Sequence, residues 1–247
     1  MTGQFSDDVV VVTGAASGIG HSVAQYFAER GAHVVGADLS ARVGDLMQAL
    51  PGEGHRGIAR DLSDPAAADE VISFAVESVG TPTVLVNSAG IAILDPAAEM
   101  PADHWRKTID INLSASFYMA QAAGRVMLEA GYGRIINLAS QAAVIALDQH
   151  VAYAASKAAL LGMTRVMSYE WAGRGVTVNS VSPTVVETPL GIAAWSGEKG
   201  EKAKAEIPVG RFAQPHEVAA LIGYLASREA AMVTGENILI DGGRTTV

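Results

Sequence analysis

The 247 residues are enough for one large domain, and 49% apolar against 17% charged residues supplies a core that a disordered chain lacks. Lys plus Arg number 17 and Asp plus Glu 26, a net charge of −9 with no basic run, which argues against nucleic acid or an anionic membrane as partner. There is no Cys, hence no disulfide, thiolate metal site or Cys nucleophile, and no stretch approaches the roughly 18 apolar residues of a membrane span.

The opening MTGQFSDD is polar and acidic, unlike a signal peptide, so a cytoplasmic protein is expected. Val9 to Val12 is the first of several short β-branched runs; Val34 to Ala37, Val84 to Val86, Ile135 to Leu138, Val176 to Val181 and Ile238 to Ile240 follow. Between them lie longer Ala-rich stretches with helical spacing: Ser22 to Arg30, Pro65 to Val79, Ala102 to Glu129, Tyr153 to Ala172 and Pro215 to Ser227. Uniformly apolar strands are buried on both faces, and strands alternating with helices build βαβ units. The expected fold is α/β: a doubly wound, Rossmann-like parallel sheet with helices on both faces, one catalytic domain over 1–247. Gly31 stops the first helix, and Asp64 caps the helix that Pro65 begins. The break in composition at 183–210, with three Pro, four Gly and a charged cluster, is expected to be a substrate lid.

The first strand runs into Thr13-Gly14, then Gly18 and Gly20, then a helix. A dinucleotide pyrophosphate needs close backbone approach and a helix N-terminus facing its charge, and glycines at a strand-to-helix turn provide both. Asp38 ends the second strand about 20 residues on, where a carboxylate accepts from the adenosine ribose hydroxyls and repels a ribose phosphate. Ser17 and Leu39 beside it are uncharged, so NAD is expected over NADP.

Ser140 closes the strand from Arg134, and Tyr153 and Lys157 stand at i and i+4 of the following helix, on one face. Alcohol oxidation removes a proton from oxygen as hydride leaves carbon. A free Tyr, with pKa about 10, is too weak a base near neutrality, and a neighbouring Lys157 would lower it. The six His show no HxxxH or HxH spacing, so no metal site is expected, and Ser140 has neither a G-x-S-x-G elbow nor an evident His–acid pair.

The spacing TGxxxGxG, with Asp61, Asn87-Ser88-Ala89-Gly90, Asn112, Ser140 and Tyr153-xxx-Lys157 in order, resembles the short-chain dehydrogenase/reductase family across nearly the whole chain. The resemblance implies cofactor contacts at Gly14, Ser17, Gly18, Ile19, Gly20, Asp38, Asp61, Leu62, Asn87, Ala89, Gly90, Tyr153, Lys157, Pro183, Val186 and Thr188. It implies catalysis by Asn112, Ser140, Tyr153 and Lys157, with Asn112 carrying a water that links the Lys to solvent. Two departures stand out: Ser88 replaces a second Asn, and Pro183-Thr184 replaces Pro-Gly. The stretch SPTVVETPLG with Trp195 looks like the family's polyol and diol branch, whose members oxidise D-threitol, xylitol and related sugar alcohols. That makes a small alcohol or ketone the expected substrate, with Gln141, Gln149, His150, Glu187 and Trp195 as candidate partners for its hydroxyls. A homotetramer packed through the two long helices is likewise implied. Two rivals are a 3-oxoacyl-(acyl-carrier-protein) reductase and a non-catalytic NAD-binding regulator.

Overall fold

The computed structural model describes residues 3–246; Met1, Thr2 and Val247 of the expected 1–247 domain lie outside the described residues. Seven strands, β1 (Val9–Thr13), β2 (His33–Asp38), β3 (Arg56–Ala59), β4 (Val84–Asn87), β5 (Gly133–Leu138), β6 (Val176–Pro183) and β7 (Asn237–Ile240), form one sheet. Their order is β3-β2-β1-β4-β5-β6-β7, and every pairing is parallel. Among the described residues nine α-helices flank it: α1 (Gly18–Ala28), α2 (Val43–Gln48), α3 (Pro65–Ser78), α4 (Ala102–Ile109), α5 (Ala115–Ala130), α6 (Val151–Trp171), α7 (Pro189–Ala194), α8 (Gly197–Ala205) and α9 (Pro215–Ala226).

The alternation of side chains along a strand explains why helices cover both faces. Val10 and Val12 turn to one side with Val34, Val84 and Val86, and pack against Val23 and Phe27 of α1 and Val218 and Ile222 of α9. Val11, between them, turns to the other side with Val35, Leu85 and Ile135, against Val71 of α3 and Met119 and Ala123 of α5. An uninterrupted Val run is thus divided between two cores. Side-chain caps set where helices start. Asp64 accepts from the Ala66 amide at 3.0 Å and Pro65 takes the first turn of α3, while Gln214 and Glu217 close a reciprocal box at α9.

The structure departs from the sequence reading in three places. The expected continuous helix from Ala102 to Glu129 is interrupted by a π-helical turn at Asp110–Ser114, between α4 and α5. The short third strand, β3, comes from a segment with a Gly in its middle and is only partly buried. The 183–210 segment, expected as a lid, carries the two short helices α7 and α8, for which no helix was expected. Strand order reverses between β1 and β4, each the other's neighbour, and crevices at such reversals take ligands beyond the carboxyl ends of the strands.

Candidate active site

A cleft of about 530 Å³ opens at those carboxyl ends. The exits of β1, β2, β4, β5 and β6 line it, through Gly14, Asp38, Ser88 to Gly90, Ser140 and Pro183 respectively, with Tyr153 and Lys157 from α6.

At the β1 end the wall is backbone. Gly14 has φ +67°, and a Cβ there would sit 3.0 Å from the Ala89 amide. A Cβ on Gly20 would fall 2.2 Å from the Gly14 carbonyl oxygen, so that position admits only glycine without a shift of main chain. Thr13 ties this turn to the β4 exit, its Oγ1 accepting from the amides of Ser88 at 3.0 Å and Ala89 at 3.1 Å. Ser17 precedes α1 without a side-chain cap, which leaves the first amides of the helix open to an anion. The Asp38 carboxylate accepts from Ala16 N at 3.0 Å and Ser40 N at 2.9 Å, and so braces the glycine turn from β2. Asp61 accepts from both the amide and the hydroxyl of Ser63, which hold its carboxyl below the usual range. A cradle with no room for Cβ, open helix amides and a carboxylate at the next strand end fits a dinucleotide.

At the other end the wall is side chain. Ser140 leaves β5 with its Oγ accepting from the Ala142 amide at 3.2 Å, and Tyr153 joins it in the cleft from α6. Lys157 is 5% exposed, its Nζ donating to the Leu138 carbonyl at 2.6 Å and lying 5.8 Å from the Tyr153 ring centre. Burial pulls the Lys157 ammonium down to about 8, which leaves it charged at pH 7. Burial pushes the Tyr153 phenol up, and the opposing influence is the Ser140 hydroxyl. The sequence leads one to expect a phenol lowered by Lys157; here desolvation outweighs every favourable contact.

The cleft gathers Gly14, Ser17, Gly18, Ile19, Gly20, Asp38, Asp61, Leu62, Ala89, Gly90, Ser140, Tyr153, Lys157, Pro183, Val186 and Thr188. Two expected site residues do not line it. Asn87 turns into the sheet, donating to Asn137 Oδ1 at 2.9 Å and the Ser116 carbonyl at 3.1 Å. Asn112 is fully buried: its Oδ1 accepts from Ile91 N at 2.8 Å, and its Nδ2 donates to Ile91 O at 2.9 Å and Ser156 Oγ at 3.1 Å. Its side chain therefore clamps the β4 exit against α6. A Cβ on Gly90 would come within 3.3 Å of Asn112 Oδ1 and 3.5 Å of Lys157 Nζ, so the clamp adjoins the Lys without entering the cleft.

These amides belong to a buried hydrogen-bonded chain that sequence reasoning missed. It runs from Ser180 through Thr164, Asn137 and Asn87 to Ser116. From Ser116 it continues through Asn112 and Ser156 to the Tyr153 carbonyl. A polar residue on a strand buried on both faces was the available signal, since such a group must find a partner. Among the candidate substrate partners, Gln141, His150 and Trp195 line the cleft. Glu187 instead accepts from Gln214 Nε2 at 2.7 Å, and Gln149 donates to its neighbour Asp148. Among the described residues no three His, Asp or Glu cluster as metal ligands, and no helix is long and apolar enough to cross a membrane.

The family model described as enoyl-(acyl carrier protein) reductase matches residues 14–245. A D-threitol dehydrogenase of Mycolicibacterium smegmatis is 50% identical over 98% of this chain and 94% of its own length. An NAD-dependent glycerol dehydrogenase of Listeria innocua is 46% identical over 98% and 95%. A 3-oxoacyl-(acyl-carrier-protein) reductase of Vibrio cholerae stands further off at 35%, over 95% and 96%. A crystal structure from Beutenbergia cavernae, named for NAD(P)-dependent gluconate 5-dehydrogenation and holding NADP at low occupancy, superposes with TM-score 0.90 at 35% identity, over 98% of each chain. Motif order, sheet topology and full-length similarity agree: the chain belongs to the short-chain dehydrogenase/reductase family and is an oxidoreductase of alcohol groups that uses a nicotinamide cofactor.

Proposed function

We propose that the protein oxidises a secondary hydroxyl of a small polyol or diol, such as D-threitol, with NAD. The observation that carries this is the meeting of Ser140, Tyr153 and Lys157 in one cleft with the glycine cradle. The glycine turn and Asp38 would hold the dinucleotide, which would supply the acceptor for the hydride of the carbinol carbon. Tyr153 takes the hydroxyl proton and Ser140 holds the oxygen. Lys157, still charged at pH 7 with its pKa at about 8, sets a positive charge beside the phenol. Asn112 is a positioning residue that fixes the β4 exit next to Lys157. The segment 183–210 acts as the lid, its Thr188 methyl 3.4 Å from where a Gly18 Cβ would lie.

NAD is favoured over NADP because Asp38 stands where a ribose phosphate would fall. The arginine that lines the cleft at this end, Arg60, is paired with Glu70. A homotetramer is supported by exposed Phe117, Val166 and Tyr169 on α5 and α6, which are more apolar than a solvent face requires.

Initial rates over C3 to C6 polyols and diols with NAD and NADP, beside an acetoacetyl thioester with NADH and NADPH, test the reading. Saturable polyol oxidation with NAD is expected, and Asp38→Ala should narrow the NAD-to-NADP efficiency ratio by tenfold or more, as loss of a carboxylate–hydroxyl contact would. Thioester reduction with NADPH and silence on polyols would replace it with acyl-carrier chemistry.

A further inference from the structure

We infer that Gln141, His150 and Thr184 form a subsite for the hydroxyl next to the reacting carbinol, so that the cleft selects a neutral vicinal diol. The inference rests on the alcohol-oxidation reading above and narrows its substrate class.

Gln141 and Thr184 are 5% and 7% exposed. Gln141 Oε1 and Thr184 Oγ1 are buried atoms with no hydrogen-bond partner among the described residues, and both side chains line the cleft. An unpaired buried oxygen is costly, so such atoms are rare unless something else pairs with them. The two follow adjacent strands, β5 and β6. The register that pairs Leu138 with Val181 brings Ser140 and Gln141 out of β5 beside Pro183 and Thr184 leaving β6. Thr184 is the residue that departs from the family's Pro-Gly, which gives this chain a hydroxyl at that place.

His150 supplies a third acceptor. Its Nδ1 meets the Asp148 carbonyl, which can only accept, so Nδ1 carries the proton and Nε2 of the neutral ring is left with its lone pair. The ring stands edge-on to Tyr153, with centroids 5.9 Å apart.

The Thr184 hydroxyl and the Gln141 amide each donate as well as accept, and His150 Nε2 accepts, a set that suits a neutral hydroxyl, which also does both. A carboxylate or phosphate has no proton to donate and would need a cation. Among the described residues the cleft's cations are Arg60 and Lys157. Arg60 pairs with Glu70 beside Asp61, and Lys157 donates to Leu138 O. A sugar acid therefore finds both of the cleft's cations already engaged.

The test compares kcat/KM for butane-2,3-diol with butan-2-ol, and for D-threitol with threonate, in the wild type and in Gln141→Leu, His150→Phe, Thr184→Val and Thr184→Ser. The wild type should prefer the diol and the uncharged tetrol. The diol-to-monohydric ratio should fall at least tenfold in the Leu, Phe and Val variants, chiefly through KM, and recover in Thr184→Ser. Ratios that stay put in all three apolar variants would overturn the subsite, as would a wild type that prefers butan-2-ol or threonate. If Gln141→Leu fails to fold, the Thr184 pair decides, since Val and Ser differ there in the hydroxyl they offer. A wild type inert toward every alcohol sinks the functional reading instead, which keeps the two failures apart.

Discussion

The two ends of the cleft are made of different material. Between Gly14 and Gly20 the wall is main chain: glycines packed against the carbonyl and amide groups of their neighbours, with Asp38 and Thr13 bracing the turn through backbone amides. Between Ser140 and Trp195 the wall is side chain: hydroxyls, an ammonium, an imidazole and an amide from four separate segments. Main chain has the same donors in every protein, so the glycine turn suits what all dinucleotides share, and the proposed choice between NAD and NADP falls to the one carboxylate beside it, Asp38. Side chains can be exchanged one by one, so the second end carries whatever distinguishes one substrate from another.

Three substitutions would break or sharpen that contrast. Tyr153→Phe removes one hydroxyl from the side-chain end. Turnover should fall about 10³-fold or more, in line with loss of a general base, while the Kd for NAD from fluorescence titration changes little. Near wild-type turnover would show that the proton leaves by another group. Gly20→Ala adds one carbon to the backbone end. The Cβ must push the Gly14 carbonyl aside, so we expect a loss of about 2 kcal/mol in unfolding free energy and roughly tenfold weaker NAD binding. An alanine variant with native Tm and Kd would mean that the turn is slack and its glycine incidental.

The smallest effect concerns Lys157 and pH. Its folded pKa of about 8 lies below the unfolded value of 10.5. Between those values the unfolded chain holds a proton that the folded one has released, so this group makes stability rise with pH from about 8 to 10.5. Below 8 both states are charged and the burial penalty is constant. The ceiling is about 3 kcal/mol for a shift of this size, and water reaching the cleft reduces it to on the order of 1 kcal/mol. Denaturant unfolding of wild type and Lys157→Met from pH 7 to 10.5 isolates the term. The wild type should gain on the variant as pH rises, and parallel curves would mean that the ammonium is solvated.

What was legible in the sequence follows the same division. The glycine turn could be read because backbone geometry leaves few residue choices, and Gly14, Gly18 and Gly20 lie where their spacing implies. The doubly wound sheet could be read because Val9 to Val12 has no polar face to turn outward. The π-helical turn could not, since Asp110 to Ser114 keeps an apolar spacing compatible with an α-helix and nothing local marks the wider turn. That the Asn87 side chain turns into the sheet could not be read, because a strand-end side chain can face either way, and the Asn137 partner that decides it is 50 residues distant. The helices α7 and α8 were hard to read because α7 is only six residues long behind a Pro and α8 is rich in Gly, Lys and Glu. What secures this segment is distant in sequence: Arg244 on Glu206 and Gln214 on Glu187.

The buried chain of side-chain bonds from Ser180 to the Tyr153 carbonyl has a consequence for how the enzyme is made. Its members come from β4, α5, β5, α6 and β6, and Ser180 is the last to be synthesised, 27 residues after Tyr153. Until β6 leaves the ribosome, Thr164 lacks its Ser180 partner, and the amides upstream have an unfinished network around them. A truncated or half-folded molecule therefore carries unpaired polar groups in its interior and is open to proteases and chaperones. Assembly of the active site and completion of the fold become a single event, so the cell should hold few molecules that are folded yet unable to turn over.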